Sequence, residues 1–274
     1  MSRKDEFFSS INGGYTCKGD FIILGGAMLD GEAITDAHIK IPLKTLNRHG
    51  LIAGATGTGK TKTLQVISEQ LSLKGIPSLV MDVKGDLSGV ARPGQENDFI
   101  RDRHAKINLP YSAMRFPVEL LTISEQNGVR LRATVSEFGP VLFSRILDLN
   151  DVQAGIMSII FKYCDDNQLA MIDLKDIRKV IQYLTGEGKD ELEKEYGAMS
   201  TASTGVILRK IIELEPQGAE RFFGEESFDV TDLMRRDSNG NGYINIIRLT
   251  DIQDKPKLFS TFMLIIAPSQ LLTM

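Results

Sequence analysis

The sequence predicts an α/β protein built around a parallel sheet, and three patterns support that prediction. Gly50–Ala53 is a short apolar run that leads into glycines, as a buried strand would. From Lys60 to about Leu73, apolar residues recur three and four positions apart, which is typical of a helix. Pro77–Asp82 is a second apolar run, so strand, helix and strand follow one another within about thirty residues. This alternation favours parallel strands covered by helices.

The rest of the chain divides by pattern into segments of different character. Residues 15–48 predict β structure, because apolar runs alternate with turns rich in Gly and Asp. Strands are also predicted at Phe116–Thr122, Val129–Ser136 and Tyr243–Leu249. We therefore expect an N-terminal β segment over 1–48, the first part of an α/β core over 49–148, a helical insertion over 149–216, and a return to the core over 217–274.

The helical insertion is predicted from caps followed by helical spacing. Asn150 or Asp151 can begin the first helix, Asp173 the second and Ser203 the third, each followed by apolar residues three and four positions apart. Pro216 ends the third helix.

Composition sets limits on partners. The 274-residue chain has a formal net charge of −4, so it has no general electrostatic attraction to nucleic acid and would need a local basic patch. Four basic residues between positions 101 and 106 lie beside acidic ones, which favours a solvated helix face over a DNA contact. They are Arg101, Arg103, His104 and Lys106, next to Asp98 and Asp102.

Cysteine use and the apolar segments predict an intracellular location. Cys17 and Cys164 are far apart and fit no metal-ligand spacing, which is typical of reduced thiols in a cytoplasmic protein. The N-terminus lacks the apolar core of a signal peptide. The most apolar stretch, Leu258–Met274, is too short to cross a bilayer, so no membrane partner is expected.

One motif of the sequence indicates a specific kind of binding site. The segment Gly54-Ala55-Thr56-Gly57-Thr58-Gly59-Lys60-Thr61 matches the phosphate-binding pattern G-x4-G-K-[ST] at every position. Its glycines let successive backbone N–H groups face one concavity, and the following helix directs its positive end to the same place. Lys60 is expected to reach the β- and γ-phosphates of ATP, and the Thr61 hydroxyl to ligate Mg²⁺. The alternative, a chance glycine-rich turn, does not account for the strand and helix predicted on either side.

A nucleotidase also needs a carboxylate near this loop. Asp82 ends a predicted strand, where it would lie near the phosphates. Asp173 follows a second apolar run but is better interpreted as a helix cap. No apolar run of the sequence ends in Asp-Glu, so no catalytic residue is assigned.

Asp237–Gly242 begins like a calcium loop, yet Arg248 stands where the bidentate Glu is required, which favours a turn before a strand.

Around this motif the chain resembles the YjgR-type branch of the HerA/FtsK-like P-loop ATPases, from about residue 10 to 264. The resemblance is carried by Asn47–Thr61, Asp82–Val90, Thr134–Pro140, Asp173–Asp176, Gln217–Glu225 and Asn241–Ile246. It implies a RecA-like fold in which Asp82 lies on a strand between the two Walker motifs. It also implies that the Walker B strand, with its Asp-Glu-Ala-His sequence, comes later than these residues, so that the chain corresponds to the N-terminal half of such proteins. Residues Ile265–Met274 do not follow the resemblance.

Three classes of function are compatible with this loop. The resemblance implies a DNA helicase or translocase motor that assembles as a hexameric ring. A non-hydrolysing nucleotide-binding module, in which ATP switches conformation or assembly, is the alternative. A small-molecule kinase would use the same loop, but the clustered arginines of a phosphate-acceptor pocket are not evident in the sequence.

Overall fold

The computed structural model describes residues 2–252. The apolar stretch Leu258–Met274 and the segment Ile265–Met274 therefore lie outside the described residues. The chain folds into two compact units. Within the described residues, the first unit consists of 2–82, 86–119 and 230–246, and the second of 83–85, 120–229 and 247–252.

Helices and strands follow in a mixed order. Along the chain they are α1 Arg3–Gly14, β1 Phe21–Leu29, β2 Glu32–Pro42, α2 Lys60–Leu73, β3 Ser78–Asp82, α3 Asp98–Ile107, β4 Val118–Thr122, β5 Val129–Arg130, α4 Val135–Ile146, α5 Asp151–Asp166, α6 Leu174–Thr185, α7 Lys189–Glu195, α8 Thr201–Ile212, α9 Ala219–Phe222 and β6 Ile244–Arg248. Strands β1 and β2 form an antiparallel hairpin, and the other four form a sheet in the order β3-β6-β4-β5, in which β4 and β5 run parallel. The predicted α/β class is confirmed at this level.

Predicted helices with a clear cap are found where expected. Helix α2 has the predicted bounds, and α5 and α6 begin after Asn150 and Asp173. In both caps the side chain accepts a backbone N–H of the first turn, and the residue three positions on bonds back to the cap. The start of α8 differs from the prediction, because Ser200, not Ser203, is its cap. The Ser200 hydroxyl accepts from the Ser203 N–H, so Ser203 already lies in the first turn.

The predicted strand at Gly50–Ala53 is wrong. These residues have no regular structure, and Leu51 is 90% exposed. A buried strand needs neighbours that take up its backbone N–H and C=O groups. Among residues 2–252, the four strands of the larger sheet pair with one another and leave this segment without a strand partner.

The predicted strand at Val129–Ser136 is wrong in its second half. Val129 and Arg130 form the short strand β5, and beyond them Ala133 makes a single parallel bridge to Phe223. Thr134 accepts from the Glu137 N–H and Glu137 bonds back, which starts α4 instead. Gly139, at φ 68°, kinks α4 just before Pro140. Pro140 is tolerated there because it begins the helical run that follows the kink.

Each unit has its own apolar packing. In the first, Ala27, Ile34 and Ala37 of the hairpin are buried against Phe7 and Ile11 of α1. Helix α1 has no counterpart in the sequence prediction; Ser2 and Asp5 form the capping box that starts it. In the second unit, four pairs of aromatic rings meet edge to face with centroids 5.1–5.9 Å apart, and a fifth pair is tilted at 6.2 Å. They belong to Phe138, Phe143, Phe161, Phe222 and Phe223.

Candidate functional site

The loop Gly54–Thr61 leads directly into α2 and is shaped by its glycines. Gly57 and Gly59 have φ of +83° and +95°, which side chains rarely allow. No atom lies within 4 Å of a Cβ placed at either position, so the backbone conformation, and not crowding, requires glycine there. A Cβ at Gly54 would lie 2.5 Å from the Thr58 hydroxyl. The loop is therefore tightly turned and open to solvent.

Three donors of this loop converge on one carbonyl oxygen. The Ala55 oxygen accepts from the Thr58 N–H at 3.3 Å, the Thr58 hydroxyl at 2.8 Å and the Lys60 Nζ at 2.7 Å. The ammonium group is thus folded over the loop. Because its partner is a neutral carbonyl, a phosphate oxygen would offer it a stronger, charge-assisted hydrogen bond.

The N-terminus of α2 is capped by a residue without a side chain. Gly59 provides no side-chain hydrogen bond to the first turn, whereas Asn150 and Asp173 do so for α5 and α6. Amides at the start of α2 therefore have no capping acceptor and face an anion favourably. Thr61 is half-buried in this turn, and its hydroxyl has no hydrogen-bond partner between residues 2 and 252.

Asp82 lies at the end of β3, as predicted, and is 3% exposed. Its two oxygens accept from the N–H groups of Asp86 and Leu87 at 3.2 and 3.1 Å. Gln65 of α2 donates to the Asp86 carbonyl at 3.1 Å. These bonds connect the turn after β3 to the helix that follows the glycine-rich loop.

A family model described as "Helicase HerA-like C-terminal" matches residues 28–273. The chain belongs to this family. The HerA-like part of the resemblance is therefore confirmed, and with it membership of a family of ATPase and helicase type. No curated protein matches the chain.

Sequence reasoning missed one buried polar cluster of this HerA-like chain. Ser124, which is 3% exposed, donates through its hydroxyl to Asp251 Oδ1 at 2.8 Å. Gln126 Nε2 donates to the same oxygen at 2.9 Å. These residues follow β4 and β6, at the carboxyl ends of strands where polar groups of α/β proteins tend to be functional. A polar residue just after a predicted strand was therefore the signal available in the sequence. The sequence does not show that Ser124 and Asp251 meet, because their contact depends on the order of the strands in the sheet.

The remaining polar motifs of the HerA-like chain have structural partners. Asp237 Oδ1 accepts from the N–H groups of Asn239 and Asn241 at 2.9 and 2.8 Å, which closes a turn before β6. His38 and His104 each contact a backbone carbonyl. Within residues 2–252, no three His, Cys, Asp or Glu side chains are grouped to hold a metal ion. No described helix has the length and apolarity required to cross a membrane.

Proposed function

We propose that this chain binds Mg²⁺-ATP at Gly54–Thr61 and forms part of a RecA-like motor core. The observation that carries the proposal is the conjunction of the motif with its geometry: an open, glycine-turned loop, an uncapped helix N-terminus and a Lys ammonium folded over both. Together they provide backbone donors and positive charge at one place, which is what a polyphosphate requires.

Each residue of the loop has a proposed role. The amides of Thr56–Thr61 bind phosphate oxygens, Lys60 exchanges the Ala55 carbonyl for the β- and γ-phosphates, and the Thr61 hydroxyl ligates Mg²⁺. Bound Mg²⁺ neutralises phosphate charge. Asp82 is proposed to act near the metal through water, because it ends β3 and its carboxylate is held by two backbone N–H groups of a turn that Gln65 connects to α2.

At the level of the protein, we propose a DNA helicase or translocase of the YjgR-type branch, cytoplasmic and assembled as a hexameric ring. The HerA-like family match supports this proposal. The core would comprise residues 49–148 and 217–274, with 149–216 inserted. The inference about DNA is by analogy of fold and family.

A non-hydrolysing switch is the second candidate. It is favoured by one observation, namely that no apolar run of the sequence ends in Asp-Glu. The two candidates share the nucleotide site and differ in turnover.

The nucleotide site is tested by the variant Lys60→Ala. We expect it to weaken binding of a fluorescent ATP analogue by at least tenfold, because a charge-assisted phosphate contact is worth roughly 1.5–3 kcal/mol. The matched control is Lys62→Ala, an exposed lysine two residues further along α2. The thermal unfolding midpoint should be unchanged in both variants. Equal affinities of wild type and Lys60→Ala would refute the site.

A further inference from the structure

The buried face of α2 is polar. Gln65, Ser68 and Ser72 are its buried residues, whereas the apolar residues of this helix are half-buried or exposed. The Ser68 hydroxyl donates within the helix, to the Leu64 carbonyl at 3.0 Å. The Ser72 hydroxyl donates to the Gly242 carbonyl at 2.6 Å, and the Gly242 N–H donates to the Ser72 carbonyl at 2.8 Å. The C-terminal end of α2 is therefore fixed to the turn before β6.

Near its N-terminal end, α2 is joined to the turn after β3 through Gln65. The Gln65 Nε2 donates to the Asp86 carbonyl at 3.1 Å. The N–H groups of Asp86 and Leu87 donate to the two oxygens of Asp82, at 3.2 and 3.1 Å. Because Asp82 is buried, these bonds leave its carboxylate little freedom to reorient. One hydrogen bond from a buried side chain thus ties the turn that holds Asp82 to α2.

Gln65 lies about one helical turn beyond Thr61. Residues four positions apart share a face of a helix and are about 6 Å apart along its axis. The turn that Gln65 holds therefore lies on the side of α2 that carries Thr61, the residue that we propose as the Mg²⁺ ligand. Bound Mg²⁺ usually keeps several water molecules, so a carboxylate beside it acts through them.

We propose that Gln65 is a positioning residue of the nucleotide site. By holding the Asp86 backbone on α2, it orients the Asp82 carboxylate, and through Asp82 it sets how strongly Mg²⁺ tightens nucleotide binding. Groups that orient the outer shell of a metal commonly change metal affinity by about 10–100-fold. Gln65 is assigned no contact with phosphate, so it affects only the part of the affinity that depends on Mg²⁺. This inference rests on the proposed function, because it requires Mg²⁺ and nucleotide at Gly54–Thr61.

The test is titration of a fluorescent ATP analogue with and without Mg²⁺. Gln65→Met keeps the length of the side chain and removes the donor. Its affinity without Mg²⁺ should equal that of wild type, whereas the tightening produced by Mg²⁺ should be about two- to tenfold smaller, the usual worth of one hydrogen bond. Asp82→Asn should reduce the tightening at least as much. The double variant should reduce it no further than Asp82→Asn alone, because Gln65 acts through Asp82.

The matched control is Ser68→Ala. Ser68 is also a buried polar residue of α2, but its hydroxyl donates within the helix and not to the turn after β3. This variant should show the same tightening by Mg²⁺ as wild type.

Hydrogen exchange of wild type gives a second readout that needs no variant. Mg²⁺ added to the nucleotide-bound protein should slow exchange of the Asp86 and Leu87 amides, because the Asp82 carboxylate that accepts from both becomes fixed by the metal's water. Exchange of the Gly242 amide, which donates to the other end of α2, should not change. This measurement decides the question even if Gln65→Met does not fold.

Three results would overturn the role of Gln65 and leave the nucleotide site intact. They are equal tightening by Mg²⁺ in wild type and Gln65→Met, an equal loss of affinity in that variant with and without Mg²⁺, and exchange of the Asp86 and Leu87 amides that does not respond to Mg²⁺. No binding of the analogue by wild type would instead overturn the nucleotide site itself, and with it this role.

Discussion

Glu137 is held in its ionised form at the start of α4. Its Oε2 accepts from the Thr134 N–H at 2.8 Å and the Thr134 hydroxyl at 3.0 Å, and its Oε1 accepts from the Ser227 hydroxyl at 2.8 Å. Burial is the largest single influence and opposes ionisation, but the hydrogen bonds from Thr134 and Ser227 together outweigh it. The pKa of Glu137 is therefore below its ordinary value.

The variant Glu137→Gln should lower the free energy of unfolding by about 1 kcal/mol at neutral pH, the usual worth of a helix cap. A carboxyl group whose pKa is lower in the folded state than in the unfolded state stabilises the fold at pH values above its unfolded pKa. This stabilisation is lost as the pH falls through the folded pKa. The difference in the free energy of unfolding between variant and wild type should therefore shrink as the pH falls below 4.5, the ordinary pKa of a glutamate. Urea denaturation at neutral and acidic pH measures it, with exposed Glu187→Gln as control. A difference independent of pH would contradict this account.

Residues of the candidate site differ in how far the sequence predicts them. Lys60 and Thr61 belong to one contiguous motif, and Asp82 ends a strand visible as an apolar run, so the sequence is sufficient to predict where all three residues lie. Ser124 and Asp251 cannot be paired in this way. Their contact depends on which strand lies beside which, and that is decided by tertiary packing.

Between elements, Gln70 joins α2, the helix that follows the glycine-rich loop, to the hairpin. Its Oε1 accepts from the Ile23 N–H at 2.6 Å, and its Nε2 donates to the Ile23 carbonyl. The pairing of β1 with β2 is irregular at this point, between Ile23 and Gly25. One side-chain amide thus satisfies both backbone groups of a residue beside the irregularity, much as a neighbouring strand would.

Gln70→Leu should destabilise the protein by about 1–3 kcal/mol, because both Ile23 groups lose their partner while remaining half-buried. Hydrogen exchange of the Ile23 amide should accelerate more than exchange within α2. Lys74→Ala is the matched control, since it removes only the exposed ion pair with Asp20 and should cost about 0–1 kcal/mol. Equal protection of the Ile23 amide in wild type and Gln70→Leu would rule out this link.

Elements are predictable where local signals agree with tertiary packing. In α5 and α6 the cap, the spacing and the burial all coincide, so the helices begin at the predicted residues. At Gly50–Ala53 the apolar run alone suggests a strand, but a strand requires partners that the sequence does not specify. At Thr134 the capping box is hard to recognise from the sequence, because Gly139 and Pro140 follow it and both residues normally indicate the end of a helix.

At the scale of the whole molecule, binding ATP and hydrolysing it place different demands on the chain. Binding as proposed here uses the loop amides, Lys60 and Thr61, which one short segment provides. Hydrolysis also requires a carboxylate that positions or deprotonates water, worth about 10²–10⁴ in rate. In GTPases with a P-loop, an arginine supplied in cis or by a partner protein is worth a further factor of about 10³–10⁵ in rate.

The last prediction is that this chain binds ATP but hydrolyses it slowly. No apolar run of its sequence ends in Asp-Glu, and both oxygens of Asp82 are engaged by the turn after β3. Without a positioned carboxylate, phosphate release should remain at a background that Lys60→Ala barely changes, although the same variant loses ATP analogue. Steady-state phosphate release, with and without DNA, measures it. Lys60-dependent turnover on the order of one per second, lost in Asp82→Asn, would instead show that Asp82 supplies the missing carboxylate.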